Sequence, residues 1–480
     1  MNREKNSFAF VILAIFLGNF IAQLNSGTVN VALPSIMHDL HSDINSVQWI
    51  ITGFLLAIGT IAPVSGYLGN KAGNKRLYVS ALVGLTIFSA LCCISWNIGS
   101  LIAFRILQGM CSGLIQVSTM TIIYQSVQKE KQAMAVSLWT ISIMVAPAIG
   151  PTIGGLITSY WGWKTLFLSN VPIGIIAVLC AVIFLPGRRE SKAIQLDKTG
   201  LITVVIGNVS LLMYFTKGAS LGWLSLPALG ILFLGIGGIA GFIWRELSAK
   251  EPLLNIRVLK YPKYALGTIC SCLISIGLYS SVFLIPLFME EAQGQTSFTV
   301  GLVMLPGALM MIVVTMITGR LQAKIDPAWF ALLGAVLLSA ATWEFSHLTK
   351  VSSAAFVTVW MIVRYIGVGL AMSPVTGIAM SVIPKEYVGH ASAISNWLRQ
   401  AVSALSIAIF SSILAVRTEA HLSKLSSSKI GEDLKQSAFL FASNDTFLVA
   451  TIVLIMTIPL ALILKKRKAK PLMETMNQGS

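Results

Sequence analysis

Long apolar stretches separated by short polar joints run the whole length of this chain. A helix needs about 20 mainly apolar residues to cross a bilayer. Fourteen such runs can be placed, the first opening near residue 8 and the last near residue 446. Two polar joints divide them: PGRRESKAIQLDKTG at residues 186–200 closes a first set of six, and RELSAKEPLLNIRVLKYPK at residues 245–263 precedes a last set of six. The pattern predicts an all-α integral membrane protein with a six-helix bundle over 1–186, a two-helix insertion over 187–245, and a second six-helix bundle over 246–480. An even number of spans puts both termini on one side.

Composition agrees with a bilayer. The 480 residues are 55% hydrophobic and only 11% charged, with a mean hydropathy of +0.81, too apolar for a soluble chain of this length. The net charge of +16 raises the question of a nucleic-acid partner, but the basic residues gather on no single polar domain. With the N-terminus in the cytoplasm, 24 of the 34 Lys and Arg fall in the tails and even-numbered loops and seven outside, the bias that orients membrane proteins. Both termini are therefore expected in the cytoplasm. Arg3 and Lys5 before an apolar run imitate a signal peptide, yet no small-residue cleavage site follows, and the run reads as an uncleaved first helix. All six cysteines lie within apolar runs and read as packing residues.

Two internal echoes suggest duplication. GYLGNK at residues 66–71 and GRLQAK at residues 319–324 share Gly-x-Leu-x-x-Lys, each after the second span of its set. Two spans later, Arg105 with Gly109 and Gly113 parallels Arg364 with Gly367 and Gly369. Two related halves are the expectation. The stretch MVAPAIGPTIGG at residues 144–155 places Pro147, Gly150, Pro151, Gly154 and Gly155 inside an apolar span. Proline bends a membrane helix and glycine admits a close neighbour, so this helix is expected to be bent, tightly packed and movable.

These motifs carry a family likeness. GYLGNKAGNKR at residues 66–76 resembles the Gly-x-Leu-Ala-Asp-Arg-x-Gly-Arg-Lys loop of the major facilitator superfamily, RILQGMCSG at residues 105–113 its fourth-helix motif, and GPTIGG at residues 150–155 its fifth-helix antiporter motif. LNSGTVNVALPSI from Leu24, WGWKTLFLSNVPIG from Trp161 and FLIPLFMEEAQG from Phe283 are further similar to the fourteen-helix drug:proton antiporter branch, the EmrB/QacA type. The resemblance implies two six-helix bundles rocking about a central cavity, two peripheral extra helices, and proton-coupled export of amphipathic compounds across a bacterial-type plasma membrane. Its gating and packing positions fall on Gly66, Asn70, Lys71, Gly73, Lys75 and Arg76, on the Pro-Gly stretch, and on Arg364. The family's Asp in this loop is Asn70 here, and its frequent Arg is Asn74.

Arg105 lies inside its span, where a cation must face a cavity or a partner. Arg364 and Arg399 pose the same choice, cavity cation or tie to carbonyls, and Gln108 is either a site neighbour of Arg105 or a helix–helix bond. Asn19, Gln23, Asn25 and Asn30 are either ligand contacts or polar glue between helices. Trp139, Asn396 and Trp397 are weaker cavity candidates. The family often carries an Asp where this chain has Asn25, so a proton carrier must be sought elsewhere: Glu290, Glu291 and Glu344 are the candidates, against the alternative of exposed helix-end carboxylates. There is no Walker, HExxH or CxxC pattern. No enzyme, cofactor or metal site is expected. The expected partners are the lipid bilayer, small amphipathic substrates and protons, with the chain a monomer. A facilitator of one solute without proton coupling, and a non-transporting sensor or scaffold, remain the rival readings.

Overall fold

The structure is a computed structural model that describes residues 2–127, 129–186, 197–249, 254–322, 324–384, 387–425 and 432–466. The boundary segment 187–196, Lys385, loop residues 426–431 and the basic tail from 467 lie outside the described residues. Fourteen long helices follow one another among the described residues: α1 (Asn2–Thr28), α2 (Trp49–Ala72), α3 (Asn74–Cys93), α4 (Ile98–Ser126), α5 (Lys129–Trp161), α6 (Trp163–Phe184), α7 (Lys198–Leu221), α8 (Leu226–Ser248), α9 (Pro262–Leu287), α10 (Ser297–Leu321), α11 (Pro327–Phe345), α12 (Ala354–Met380), α13 (Val388–Leu425) and α14 (Glu432–Ile455). Short helices Val29–Ala32 and Leu33–Asp39 prolong α1, and Thr457–Lys466 prolongs α14. Thirteen helices among the described residues are long and apolar enough to cross a membrane, and α5 is 33 residues long.

Local sequence sets the helix ends. Asn97 and Ser100 form a reciprocal capping box at the start of α4. Asp197, Ser225, Thr296, Asp326 and Ser353 each accept a backbone N–H at the start of α7, α8, α10, α11 and α12, satisfying donors that have no helical partner. Proline occupies the first turn of α8, α9 and α11, where its missing N–H does no harm. Pro286 lies near the end of α9, which passes directly into a π turn, Phe288–Ala292. That turn presents Glu290 and Glu291 at the end of the bundle opposite the termini.

The first six helices pack together, as do the last six, and α7 pairs with α8. Gly207 and Gly238 stand back to back, so a Cβ on Gly238 would lie 2.7 Å from the Gly207 Cα. Phe233, Leu234, Ile236 and Trp244 of α8 are exposed, as lipid-facing side chains are. The pair is not purely peripheral, however. Gln48 at the head of α2 donates to Thr216 of α7 at 3.2 Å, and Phe242 of α8 packs on Trp397 of α13 at 5.4 Å. The insertion therefore leans on the seam where α2 meets α13, where a Cβ on Gly59 would lie 3.1 Å from the Gln400 Cβ.

Candidate functional site

The expected cavity residues assemble into buried polar nodes. Arg105 of α4 is fully buried. Its Nε donates to the Ile50 carbonyl of α2 at 3.2 Å, its Nη1 donates to Gln108 Oε1 at 2.6 Å, and its guanidinium sits 4.0 Å over the Phe54 ring. Gln108 Nε2 donates in turn to Ser89 Oγ of α3 at 2.7 Å and to Asn25 Oδ1 of α1 at 3.1 Å. Asn170 of α6 donates to the same Asn25 oxygen at 2.9 Å. Five of the six helices of the first bundle thus meet at one cation. No salt bridge reaches Arg105 among the described residues; carbonyl dipoles and an aromatic face hold its charge. The tie to a partner is the arrangement observed, for both Arg105 and Gln108, instead of a side chain facing an open cavity.

Asn19 forms a second node. Its Nδ2 donates to Thr119 Oγ1 of α4 at 2.7 Å, and Trp139 Nε1 of α5 donates to its Oδ1 at 3.1 Å. Trp139 is a strut between α5 and α1. Asn30 donates to the Ser26 carbonyl of its own segment at 2.9 Å, and Gln23 is half-buried on α1. In an apolar medium a buried amide must find a partner, which explains why these asparagines bond within the bundle.

The second bundle repeats the motif. Arg364 of α12 is buried and donates to the Gly277 carbonyl of α9, to Thr342 Oγ1 of α11, and to Ser280 Oγ of α9 at 3.2 Å. Ser89 stands 23 residues beyond Gly66, and Thr342 stands 23 residues beyond Gly319. Each half therefore pins its third helix to the arginine network of its fourth from the same position. The sequence echo signalled the arginines; their hydroxyl partners went unread because Ser and Thr are common inside membrane helices. Arg399 of α13 is half-buried and donates to Asn396 Oδ1 one turn away at 3.0 Å.

The Pro-Gly stretch divides its contacts between bundles. Gly150 and Gly154 face α1: a Cβ on either would lie 3.0 Å from backbone atoms of Gly27 or Thr28. Gly155 faces α10, where a Cβ would fall 2.8 Å from the Ser297 carbonyl carbon. Gly301 of α10 answers, its Cβ position lying 2.6 Å from the Pro151 carbonyl oxygen. Thr152 Oγ1 donates to the Gly301 carbonyl at 2.8 Å, and the Phe298 N–H donates to Ser159 Oγ at 3.1 Å. The bundles are thus clamped backbone to backbone at the end opposite the termini. The surroundings of Pro147 lie outside the described residues.

In the loop after α2, Gly73 adopts φ +88°, which favours glycine. Lys75 Nζ donates to the Val182 carbonyl in the last turn of α6 at 2.8 Å, where a cation complements the helix dipole. Lys71 and Arg76 are exposed; the surroundings of Gly66 and Asn70 lie outside the described residues. Among the acids, Glu290 is half-buried and its Oε1 is buried without a hydrogen-bond partner among the described residues. Glu291 is exposed and Glu344 is half-buried at the end of α11. The reading from sequence missed Glu246, which is 1% exposed and accepts the Leu254 N–H at 2.9 Å, tying α8 to the segment before α9.

Two bundles of membrane helices, each centred on a buried arginine and clamped through glycines, define a multi-pass membrane transporter rather than an enzyme. The family model of the Major Facilitator Superfamily matches residues 15–407, and the chain belongs to that family. The uncharacterized MFS-type transporter YhcA of Bacillus subtilis is 30% identical over 425 residues, covering 88% of this chain and 80% of the relative. The multidrug export protein EmrB of Escherichia coli is 26% identical over 428 residues, covering 88% and 84%. The crystal structure of a bacterial homolog to the human lysosomal transporter Spinster, inward-facing and occupied, aligns with a TM-score of 0.65 at 15% identity over 96% of this chain and 98% of that one, a likeness of fold.

Proposed function

We propose that this chain is a secondary efflux transporter that exports amphipathic drug-like compounds from a bacterial cytoplasm in exchange for protons, working as a monomer. The clamp between α5 and α10 carries the reading: among the described residues it joins the two bundles through glycine contacts near the C-terminal end of α5, which suits a seal that opens and closes. The likeness to EmrB supports drug-like cargo. With the termini in the cytoplasm, the orientation the distribution of basic residues favours, the clamped end faces outside and the arrangement reads as an outward-closed state.

Proton exchange does not run through α1. Asn25 Oδ1 accepts from Gln108 and Asn170 while its Nδ2 donates to the Ile21 carbonyl at 3.1 Å. A protonated carboxyl would make the same three bonds, so Asn25 holds the node permanently in the pattern of a protonated acid. The exchange falls to Glu290, whose buried oxygen is free to carry a proton. The experiment is reconstitution into vesicles with a pH-sensitive dye inside and a panel of cationic, neutral and anionic amphiphiles outside. Substrate-dependent proton movement that disappears in Glu290→Gln supports the reading. The fixed pattern at Asn25 favours a second reading, an uncoupled exporter, and substrate flux with no proton signal would establish it.

A further inference from the structure

The arginines inside the spans differ in what they touch. Arg105 and Arg364 are buried and bonded to neighbouring helices. Arg399 is only half-buried, and its one hydrogen bond, from Nη2, stays on its own helix at Asn396. Its Nε and Nη1 have no acceptor among the described residues and are not enclosed by protein. No salt bridge reaches it among the described residues. The groups within its field are the Tyr279 phenol and the Cys272 thiol of α9, neither of them a carboxylate.

The face of α13 that carries Arg399 is polar and opens toward the cytoplasm. Ser392, Asn396, Arg399 and Ser403 follow at helical spacing on that face. Ser392 is exposed, Asn396 and Arg399 are half-buried and Ser403 is buried, so access fades with depth. Between residues 390 and 415 Ser392 alone is exposed, and no large apolar side chain of α13 is. To one side of this face α13 packs on α9, where Ser395 Oγ lies 3.0 Å from Tyr264 Oη and 3.3 Å from Thr268 Oγ1. To the other it packs on α2 of the first bundle, where a Cβ on Gly59 would lie 3.1 Å from the Gln400 Cβ and 3.5 Å from the Trp397 carbonyl oxygen. The α9 and α2 helices make no extended contact with each other, so the space between them is a cleft at the seam of the bundles. A cation inside a span must face a partner or a water-filled space. Arg399 has no acidic partner among the described residues, and it faces the cleft.

We propose that Arg399 is an anion-binding subsite in the cytoplasm-facing cleft and that the cargo it receives is an anionic amphiphile, an apolar body bearing a carboxylate or sulfonate. A guanidinium with free N–H groups takes such a head group on parallel charge-assisted bonds, and the fixed cation offsets the cost of drawing that anion out of water. Asn396, which accepts from Nη2, is a positioning residue that holds the planar group in the cleft. The inference deepens the export reading by naming its substrate class.

The test uses the full chain in phosphatidylcholine nanodiscs and measures binding of radiolabelled decanoate by equilibrium dialysis, with empty nanodiscs subtracted and decyltrimethylammonium as a probe of equal chain length and opposite charge. The expected result is binding of decanoate in excess of the ammonium compound. Arg399→Gln should weaken decanoate at least tenfold. Asn396→Asp, which sets a carboxylate against the guanidinium and keeps the side-chain shape, should weaken it comparably, and it serves alone if Arg399→Gln does not fold. Decanoate binding that is absent, unchanged in both variants, or matched by decyltrimethylammonium would overturn the site. Displacement of decanoate by phosphatidylglycerol added to the nanodiscs would overturn the cargo assignment in favour of a lipid head group. If decanoate bound through Arg399 while no amphiphile crossed reconstituted vesicles, the export reading would fall and the anion site would stand.

Discussion

Replacing Gly155 with alanine tests the clamp, because the atoms it would strike all belong to the opposite bundle. The new Cβ would lie 2.8 Å from the Ser297 carbonyl carbon and 3.1 Å from the Phe298 Cα. These are backbone atoms of α10, which cannot rotate aside as a side chain would. Overpacking of a tight contact costs about 1–3 kcal/mol, and at about 1.4 kcal/mol per tenfold this disfavours the clamped state by roughly 5- to 150-fold. The gain in helix propensity from glycine to alanine acts equally on clamped and parted states, so it cancels. Gly154→Ala is the control: its new Cβ would meet Thr28 of α1, in the same bundle, and should lower thermal stability without moving the balance. Spin labels at Trp161 and Gln295, both exposed at that end, in a cysteine-free background, report the separation by double electron–electron resonance. Gly155→Ala should populate longer distances. The same distance distribution as the parent, with the stability loss of Gly154→Ala, would refute the reasoning.

Other predictions follow from the nodes. Arg364→Met removes three hydrogen bonds to α9 and α11; at about 0.6 kcal/mol for each bond between membrane helices, the second bundle should lose about 2 kcal/mol, read as a lower melting temperature in detergent, and an unchanged melting temperature would contradict the pinning role. Asn25→Asp should make transport depend on pH where the parent's first bundle does not respond: the acid fits the node when protonated and loses its bond to the Ile21 carbonyl when ionised, so an identical pH profile for parent and variant would discount the mimicry. Lys75→Gln should loosen the junction of α3 and α6, seen as faster amide exchange in the last turn of α6, with unchanged exchange arguing against the cap at Val182.

The fourteen runs read from hydropathy correspond to fourteen helices because apolar length is a strong, local signal. The buried arginines were legible for a related reason: a cation inside an apolar run has few places to go. Their partners were not. Ser89, Thr342 and Asn170 are ordinary residues in membrane helices, and only packing shows which of them meets a guanidinium. The Pro-Gly stretch announced close contact but not its direction; that Gly154 serves α1 while Gly155 serves α10 follows from a rotation of about 100° between neighbouring residues of a helix, set by tertiary packing. Glu246 was overlooked because a carboxylate at a helix end looks solvated, and its burial depends on Leu254 folding back onto it. The π turn that places Glu290, with its Oε1 buried and without a hydrogen-bond partner among the described residues, cannot be read from FLIPLFMEEAQG.

The most direct test of alternating-access export is accumulation in inside-out vesicles with an acidic lumen, using an amphiphile that moves protons in the dye assay. The proton gradient should drive the compound into the lumen above its outside concentration, and an ionophore that collapses the gradient should release it. Absence of accumulation for every amphiphile, or accumulation indifferent to the ionophore, would contradict proton-coupled export.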